Sequence, residues 1–159
     1  MSSKFIQMLF KHAENGGIIV WDVDGVLAPY EFGIHEHCTE YWETLFSGDR
    51  KSPYEKVNPV PSLYNFIHKT GVEKSYVCSV AEPYEERSKT EYARKNYGIP
   101  KDHIVMVRTK DEKLKALKRI QNEKGGVPIA IVDDSVPVLD KIHKDGSGFI
   151  TVHISSFLS

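Results

Sequence analysis

The sequence contains few cysteines, almost no net charge and no apolar N-terminal run long enough to cross a bilayer. Its two cysteines, Cys38 and Cys78, are too few for a disulfide framework, and their spacing does not match a metal-binding pair. We therefore expect a reducing, cytoplasmic setting. Residues 1–14 lack the apolar core of a signal peptide. The formal net charge of -1 gives no support for a nucleic-acid or membrane partner held by bulk electrostatics.

What the sequence does contain suits one folded domain of 159 residues. Apolar residues make up 40% of the chain and charged residues 27%, which is an ordinary balance for a globular protein. The pattern becomes irregular between residues 28 and 61, where a helix is expected only over Glu36–Phe46. We predict a single domain over residues 1–159, in which residues 28–61 are a candidate small cap or flap.

Apolar strands alternate with helices along the rest of the chain. Short β-branched runs predict five strands, at residues 18–21, 75–80, 104–107, 127–132 and 149–154. After an N-terminal helix, helical patterns and capping signals predict further helices at residues 62–69, 84–97, from Lys110 onward, and 136–143. This alternation predicts an α/β fold, a Rossmann-like three-layer sandwich around a central, mostly parallel five-stranded sheet.

Polar side chains stand where three of the predicted strands end. Asp22 and Asp24 follow the first strand, Ser79 lies at the end of the second, and Asp133 and Asp134 follow the fourth. Ligands gather at the carboxyl ends of strands in open sheets of this kind. Two carboxylates about 4 Å apart repel each other by about 4 kcal/mol at an effective dielectric near 20. The acids therefore require cations or raised pKa values. Mg²⁺, which prefers oxygen ligands, is the expected cofactor.

These residue types suit phosphate chemistry. Asp22 is a candidate nucleophile that would attack phosphorus, and Asp24, turned by Gly25, is a candidate acid and base. Ser79 would donate a hydrogen bond to a phosphate oxygen. Lys110 begins a helix whose Thr109 to Glu112 spacing is that of a capping box, and it would neutralise phosphate charge. Lys113, one turn further along that helix, is the alternative lysine.

The ordered motifs resemble those of the haloacid dehalogenase superfamily over roughly residues 18–154. The first motif stands here as Asp-Val-Asp-Gly-Val-Leu at residues 22–27, and the other three match Ser79, Lys110 and the acidic pair Asp133-Asp134. The resemblance implies that Asp22 is the nucleophile and a metal ligand. It implies that Asp24 is the acid/base and binds the metal through its backbone carbonyl. Asp134 would be the metal ligand with Asp133 in support, although the choice within that pair stays open.

Two features depart from the family pattern. Ala28 stands where many relatives have Thr or Ser, and the chain has no room for a large cap domain. Small magnesium-dependent phosphatases and deoxyribonucleotidases are the subclasses that the sequence resembles most. Arg87 and Lys89, on the predicted helix after Ser79, are expected at its solvated face.

The sequence is compatible with several functions. The leading hypothesis is a phosphatase acting on a small phosphorylated metabolite, with neither nucleic acid nor membrane as partner and with the oligomeric state undetermined. Tyr30, Phe32 and Trp42 would favour a nucleotidase, because aromatic rings stack on bases. A non-catalytic module that binds phosphate or a protein is the third hypothesis. A mutase or a dehalogenase is also open, but Asp24 favours phosphate chemistry over dehalogenation.

Overall fold

A computed structural model describes residues 3–29, residue 46 and residues 52–158 of the chain. The candidate flap therefore lies largely outside the described residues. Of the helix expected over Glu36–Phe46, Phe46 alone is described. The aromatic residues Tyr30, Phe32 and Trp42 also lie outside.

A five-stranded sheet forms the centre of the protein, and all of its strands run parallel. The order across the sheet is β3-β2-β1-β4-β5. The strands are β1 (Ile18–Trp21), β2 (Ser75–Val80), β3 (Ile104–Val107), β4 (Ile129–Asp133) and β5 (Ile150–His153). The predicted α/β, Rossmann-like architecture is confirmed, and the order reverses beside β1, the place where ligands bind in such sheets.

Helices cover both faces of the sheet. Those whose bounds fall within the described residues are α1 (Lys4–Glu14), α2 (Pro61–Thr70), α3 (Pro83–Tyr97), α4 (Glu112–Glu123) and α5 (Val136–Lys144). Because successive side chains of a strand point to opposite faces, Ile19 and Trp21 join the core beneath α1, α2 and α3. Ile18 and Val20 join the second core, beneath α4 and α5. This gives the three layers.

Short 3₁₀ helices complete the described chain, at Pro53–Lys56, Val72–Lys74, Lys101–His103 and Ile154–Phe157. None of the described helices combines the length and hydropathy required to cross a bilayer.

Several element boundaries differ from the prediction by one or two residues, and two of these differences have a local reason. β4 begins at Ile129, two residues later than expected, and Pro128 just before it has no N–H to donate to the ladder. The helix expected from Lys110 begins at Glu112. The Glu112 carboxylate accepts the backbone N–H of Arg108 at 2.6 Å and of Thr109 at 3.0 Å, so residues 108–111 form the turn before α4. Lys110 therefore lies in that turn and is exposed.

The thiol of Cys78, fully buried on β2, is expected to resist alkylation. Burial raises its pKa from 9.0 to about 12. That shift lowers the thiolate fraction at mildly alkaline pH roughly 10³-fold, and the thiolate is the reactive form. In a Cys38→Ser variant, we expect iodoacetamide to label the native protein at least about 10³-fold more slowly than the urea-unfolded protein, as followed by mass spectrometry. Equal labelling rates would show that β2 is open to solvent.

Candidate functional site

The pairing of β1 with β4 brings the acidic residues together. Trp21 lies opposite Val132, and the backbone N–H of Asp22 donates to the Val132 carbonyl at 3.1 Å. As a result, one carboxylate oxygen from each of Asp22, Asp133 and Asp134 lies within 4.8 Å of the others. The order of the strands in the sequence predicts this convergence, and the structure places the three side chains at one edge of the sheet.

The chain turns sharply after β1, and Gly25 is the residue that permits the turn. Its φ of 76° lies in the left-handed region, where an L side chain is strained. The backbone N–H of Gly25 donates to the Ala28 carbonyl at 2.9 Å, and the N–H of Ala28 donates to the Val23 carbonyl at 2.8 Å. This closed turn carries Asp24 away from the line of the strand while Asp22 stays at its tip.

The two candidate lysines occupy different environments. Lys113 is 3% exposed, and its ammonium lies 3.2 Å from an oxygen of Asp22 and 2.6 Å from an oxygen of Asp133. Lys110 lines the same cavity but is exposed, because it precedes the first turn of α4. The contacts therefore favour Lys113, the alternative to Lys110 that the sequence offers, as the lysine that interacts with Asp22.

Burial dominates the electrostatics of these groups. Loss of hydration raises the pKa of Asp22, and the negative charges of Asp133, Asp24 and Asp134 raise it further, whereas Lys113 opposes them. Burial alone would lower the pKa of Lys113, but Asp22 and Asp133 outweigh burial and raise it above its usual range. Lys113 therefore stays charged, and its single positive charge does not balance the negative charges of the surrounding carboxylates.

Asp133 and Asp134 lie in different environments. Both oxygens of Asp133 are engaged, one by Lys113 and the other by the Ser135 backbone N–H at 2.9 Å. Asp133 is fully buried, whereas Asp134 is partly exposed. Burial and the neighbouring Asp133 raise the pKa of Asp134. Asp133 therefore holds the Lys113 ammonium in place. Both acids line the cavity, and Asp134 is the more exposed of the two.

A cavity of about 760 Å³ lies over the acids. Ser79, 1% exposed at the end of β2, lines it together with the acids, Lys110 and Lys113. Tyr84, an exposed residue in the first turn of α3, lines it as well, and its ring meets the ring of Phe46 at a centroid distance of 5.3 Å. The cavity has room for a phosphate group and a small organic portion.

Asp24 lies outside the cluster of three acids and has different partners. Its carboxylate lies 2.7 Å from the ammonium of Lys89 and accepts a hydrogen bond from the hydroxyl of Tyr54. The expectation that Lys89 is solvated is wrong, because this side chain is 1% exposed. A sequence signal was present: Lys89 shares a helical face with Tyr92 and Ala93, three and four residues further on, and both are buried. No sequence signal pointed to Tyr54, 30 residues from Asp24.

The fold and the site together define a parallel α/β protein with an acidic cluster at the carboxyl edge of its sheet. Comparison with models of known protein families gives no match, and comparison with curated protein sequences gives none either. Functional assignment therefore depends on the geometry described above.

Proposed function

We propose that the protein is a magnesium-dependent phosphomonoester hydrolase of the haloacid dehalogenase type, acting on a small phosphorylated metabolite in the cytoplasm. The observation that carries this proposal is the meeting of Asp22, Asp133 and Asp134 within 4.8 Å, with buried Lys113 between Asp22 and Asp133. A carboxylate can act as the nucleophile that receives a phosphoryl group, and a charged lysine beside it can stabilise the charge that develops in the reaction.

The donor set fits Mg²⁺. All the donors are hard carboxylate oxygens, which magnesium prefers, and the partly exposed Asp134 leaves space for water ligands. Six carboxylates and three lysines line the described part of the cavity; the acids are Asp22, Asp24, Glu82, Glu85, Asp133 and Asp134, and the lysines are Lys89, Lys110 and Lys113. A phosphate monoester would add more negative charge. Bound magnesium would neutralise part of this charge and orient the phosphate oxygens, with Asp22, Asp134 and the backbone carbonyl of Asp24 as its proposed ligands.

The proposed reaction has two balanced steps. In the first, an oxygen of Asp22 attacks phosphorus, and the bond from phosphorus to the leaving oxygen breaks. The leaving oxygen keeps the electron pair of the broken bond and accepts a proton from Asp24. The products are an alcohol and an aspartyl-phosphate on Asp22. In the second, Asp24 removes a proton from water, the water oxygen attacks phosphorus, and the bond to Asp22 breaks. Inorganic phosphate leaves, and both aspartates return to their starting forms.

The other cavity residues support charge and position. Lys113 balances the charge beside Asp22 throughout the reaction, because its contacts join it to Asp22 and Asp133. The hydroxyl of Ser79 donates to a phosphate oxygen. Lys110 is exposed at the cavity, so we expect it to contact bound substrate and to have no part in the buried cluster of acids.

A nucleotidase is the second candidate function, favoured by one observation. Tyr84 presents an exposed aromatic ring at the cavity, and such a ring can stack on a base. A substrate panel separates the two candidates: preference for nucleoside monophosphates over sugar phosphates supports the nucleotidase, and equal turnover removes it. Magnesium binding without turnover of any ester would instead favour a non-catalytic phosphate-binding module.

Magnesium is expected both to switch on hydrolysis of an aryl phosphate and to stabilise the fold. At a metal concentration 100 times Kd, linkage raises the free energy of unfolding by about 2.7 kcal/mol. We expect chelation to remove turnover and the Tm increase together. Asp134→Asn is expected to weaken magnesium binding at least about tenfold, since loss even of groups that only support ligands has effects of that size.

The matched control for Asp134→Asn is Asp140→Asn, an exposed acid on α5 that does not belong to the acidic cluster. It should leave the magnesium response unchanged. Differential scanning fluorimetry and steady-state kinetics give the two readouts. A protein whose turnover and Tm ignore both magnesium and chelator would contradict the proposed metal requirement.

A further inference from the structure

Lys89 places a charged side chain deep in the protein, beside the proposed acid/base. Its ammonium has three donors, and three acceptors surround it: the Val80 carbonyl at 2.6 Å, Asp24 at 2.7 Å and Glu85 at 3.1 Å. The Lys89 side chain is 1% exposed, and these contacts offset the high free-energy cost of burying an ammonium group.

Each partner of Lys89 is itself held in place. Val80 ends β2, within the hydrogen-bonded sheet. Glu85 is 6% exposed and its second oxygen accepts the backbone N–H of Glu82 at 3.2 Å, as part of the capping box that begins α3. The ammonium is therefore fixed relative to both the sheet and α3.

Both carboxylate oxygens of Asp24 have a buried partner. One oxygen meets Lys89 and the other accepts the hydroxyl of Tyr54, a residue 2% exposed in the 3₁₀ helix Pro53–Lys56. A carboxylate with both oxygens engaged by buried groups has one preferred orientation. A mobile aspartate in a turn would instead sample several rotamers, few of which reach the leaving oxygen.

We propose that Lys89 and Tyr54 are positioning residues that hold Asp24 toward the leaving group; this inference rests on the proposed function. Neither residue needs to touch substrate, since both act through Asp24. Their effect should depend on how much the leaving oxygen needs a proton. Hydrolysis of an ester with a basic leaving group depends strongly on proton donation by a well-placed Asp24. Hydrolysis of an ester with a weakly basic leaving group depends on it only slightly.

The test compares kcat/KM for phenyl phosphate, whose leaving group is basic, with kcat/KM for dinitrophenyl phosphate, whose leaving group is weakly basic. Lys89→Met is expected to lower kcat/KM for phenyl phosphate by about 100-fold and to change that for dinitrophenyl phosphate little. Tyr54→Phe, which removes one oxygen atom and keeps the ring, is expected to show the same selectivity at about tenfold. Tyr54→Phe also decides the question if Lys89→Met does not fold, as judged by circular dichroism.

Two controls match these variants. Lys95→Met removes an exposed lysine from the same helix, and Tyr76→Phe removes the hydroxyl of a buried tyrosine that contacts His103 and Lys124. Both should leave the ratio of the two kcat/KM values unchanged. Equal losses on both esters, or no loss, in Lys89→Met and Tyr54→Phe would overturn the positioning role while wild-type turnover still supports the hydrolase. Absence of wild-type turnover on both esters would overturn the hydrolase, and the positioning role with it.

Discussion

Replacing Asp22 by Asn is expected to lower kcat for aryl phosphate hydrolysis by at least about 10⁴-fold, the scale of loss when a core catalytic residue is removed. An amide nitrogen or oxygen is a much weaker nucleophile than a carboxylate. The substitution keeps the shape of the residue, and the backbone N–H of Asp22 still donates to Val132. Lys113 keeps its 2.6 Å contact with Asp133, so the fold should persist.

The nucleophile can also be observed directly. Acid quenching of wild-type protein during turnover should trap phosphate on the peptide containing Asp22, and mass spectrometry should locate it there. Asp102→Asn, an exposed acid in the 3₁₀ helix Lys101–His103, is the control and should retain wild-type turnover. Full turnover by Asp22→Asn, or phosphate trapped on another residue, would contradict the mechanism.

Replacing Lys113 by Met is the second large change, and it should affect stability as well as turnover. Removing one member of a buried ion pair leaves the other charge uncompensated and costs about 3–5 kcal/mol of unfolding free energy. Here two carboxylates, Asp22 and Asp133, lose their shared ammonium. Turnover should fall by about 10²–10³-fold, as when a preorganised charge-stabilising group is lost. Urea unfolding and steady-state kinetics measure the two effects.

Lys110→Met is the matched control, since the two lysines stand three residues apart on the same segment. Lys110 is exposed and precedes the helix, so its loss should leave the midpoint of unfolding nearly unchanged and mainly raise KM. If Lys110→Met lost more turnover than Lys113→Met and Lys113→Met remained stable, the assignment of the lysine would have to be reversed.

Two buried lysines organise this site from opposite sides of the first strand. Lys113 comes from α4 and contacts Asp22, the proposed nucleophile; Lys89 comes from α3 and contacts Asp24, the proposed acid/base. Each of the two aspartates therefore has its own buried cation. The arrangement separates the two roles although the aspartates are only two residues apart in the chain.

Much of the fold could be predicted because its signals are local. The β-branched run Ile18–Trp21, with an acid directly after it, identified a buried strand, and β2 and β3 have the predicted bounds. Parallel strands joined by helices place their carboxyl ends at one edge, so the meeting of Asp22 with Asp133 and Asp134 followed from strand order.

The sequence by itself determined the α/β layers and the acids at the carboxyl edge, because short-range patterns and the handedness of crossovers suffice for both. The tertiary structure decided which lysines serve those acids. The start of α4 depends on where the Glu112 carboxylate binds, which selects Lys113 over Lys110. The burial of Lys89 depends on how α3 lies against the turn after β1, a contact across 65 residues. Charges of this kind are placed by packing between distant segments, and no local pattern records that packing.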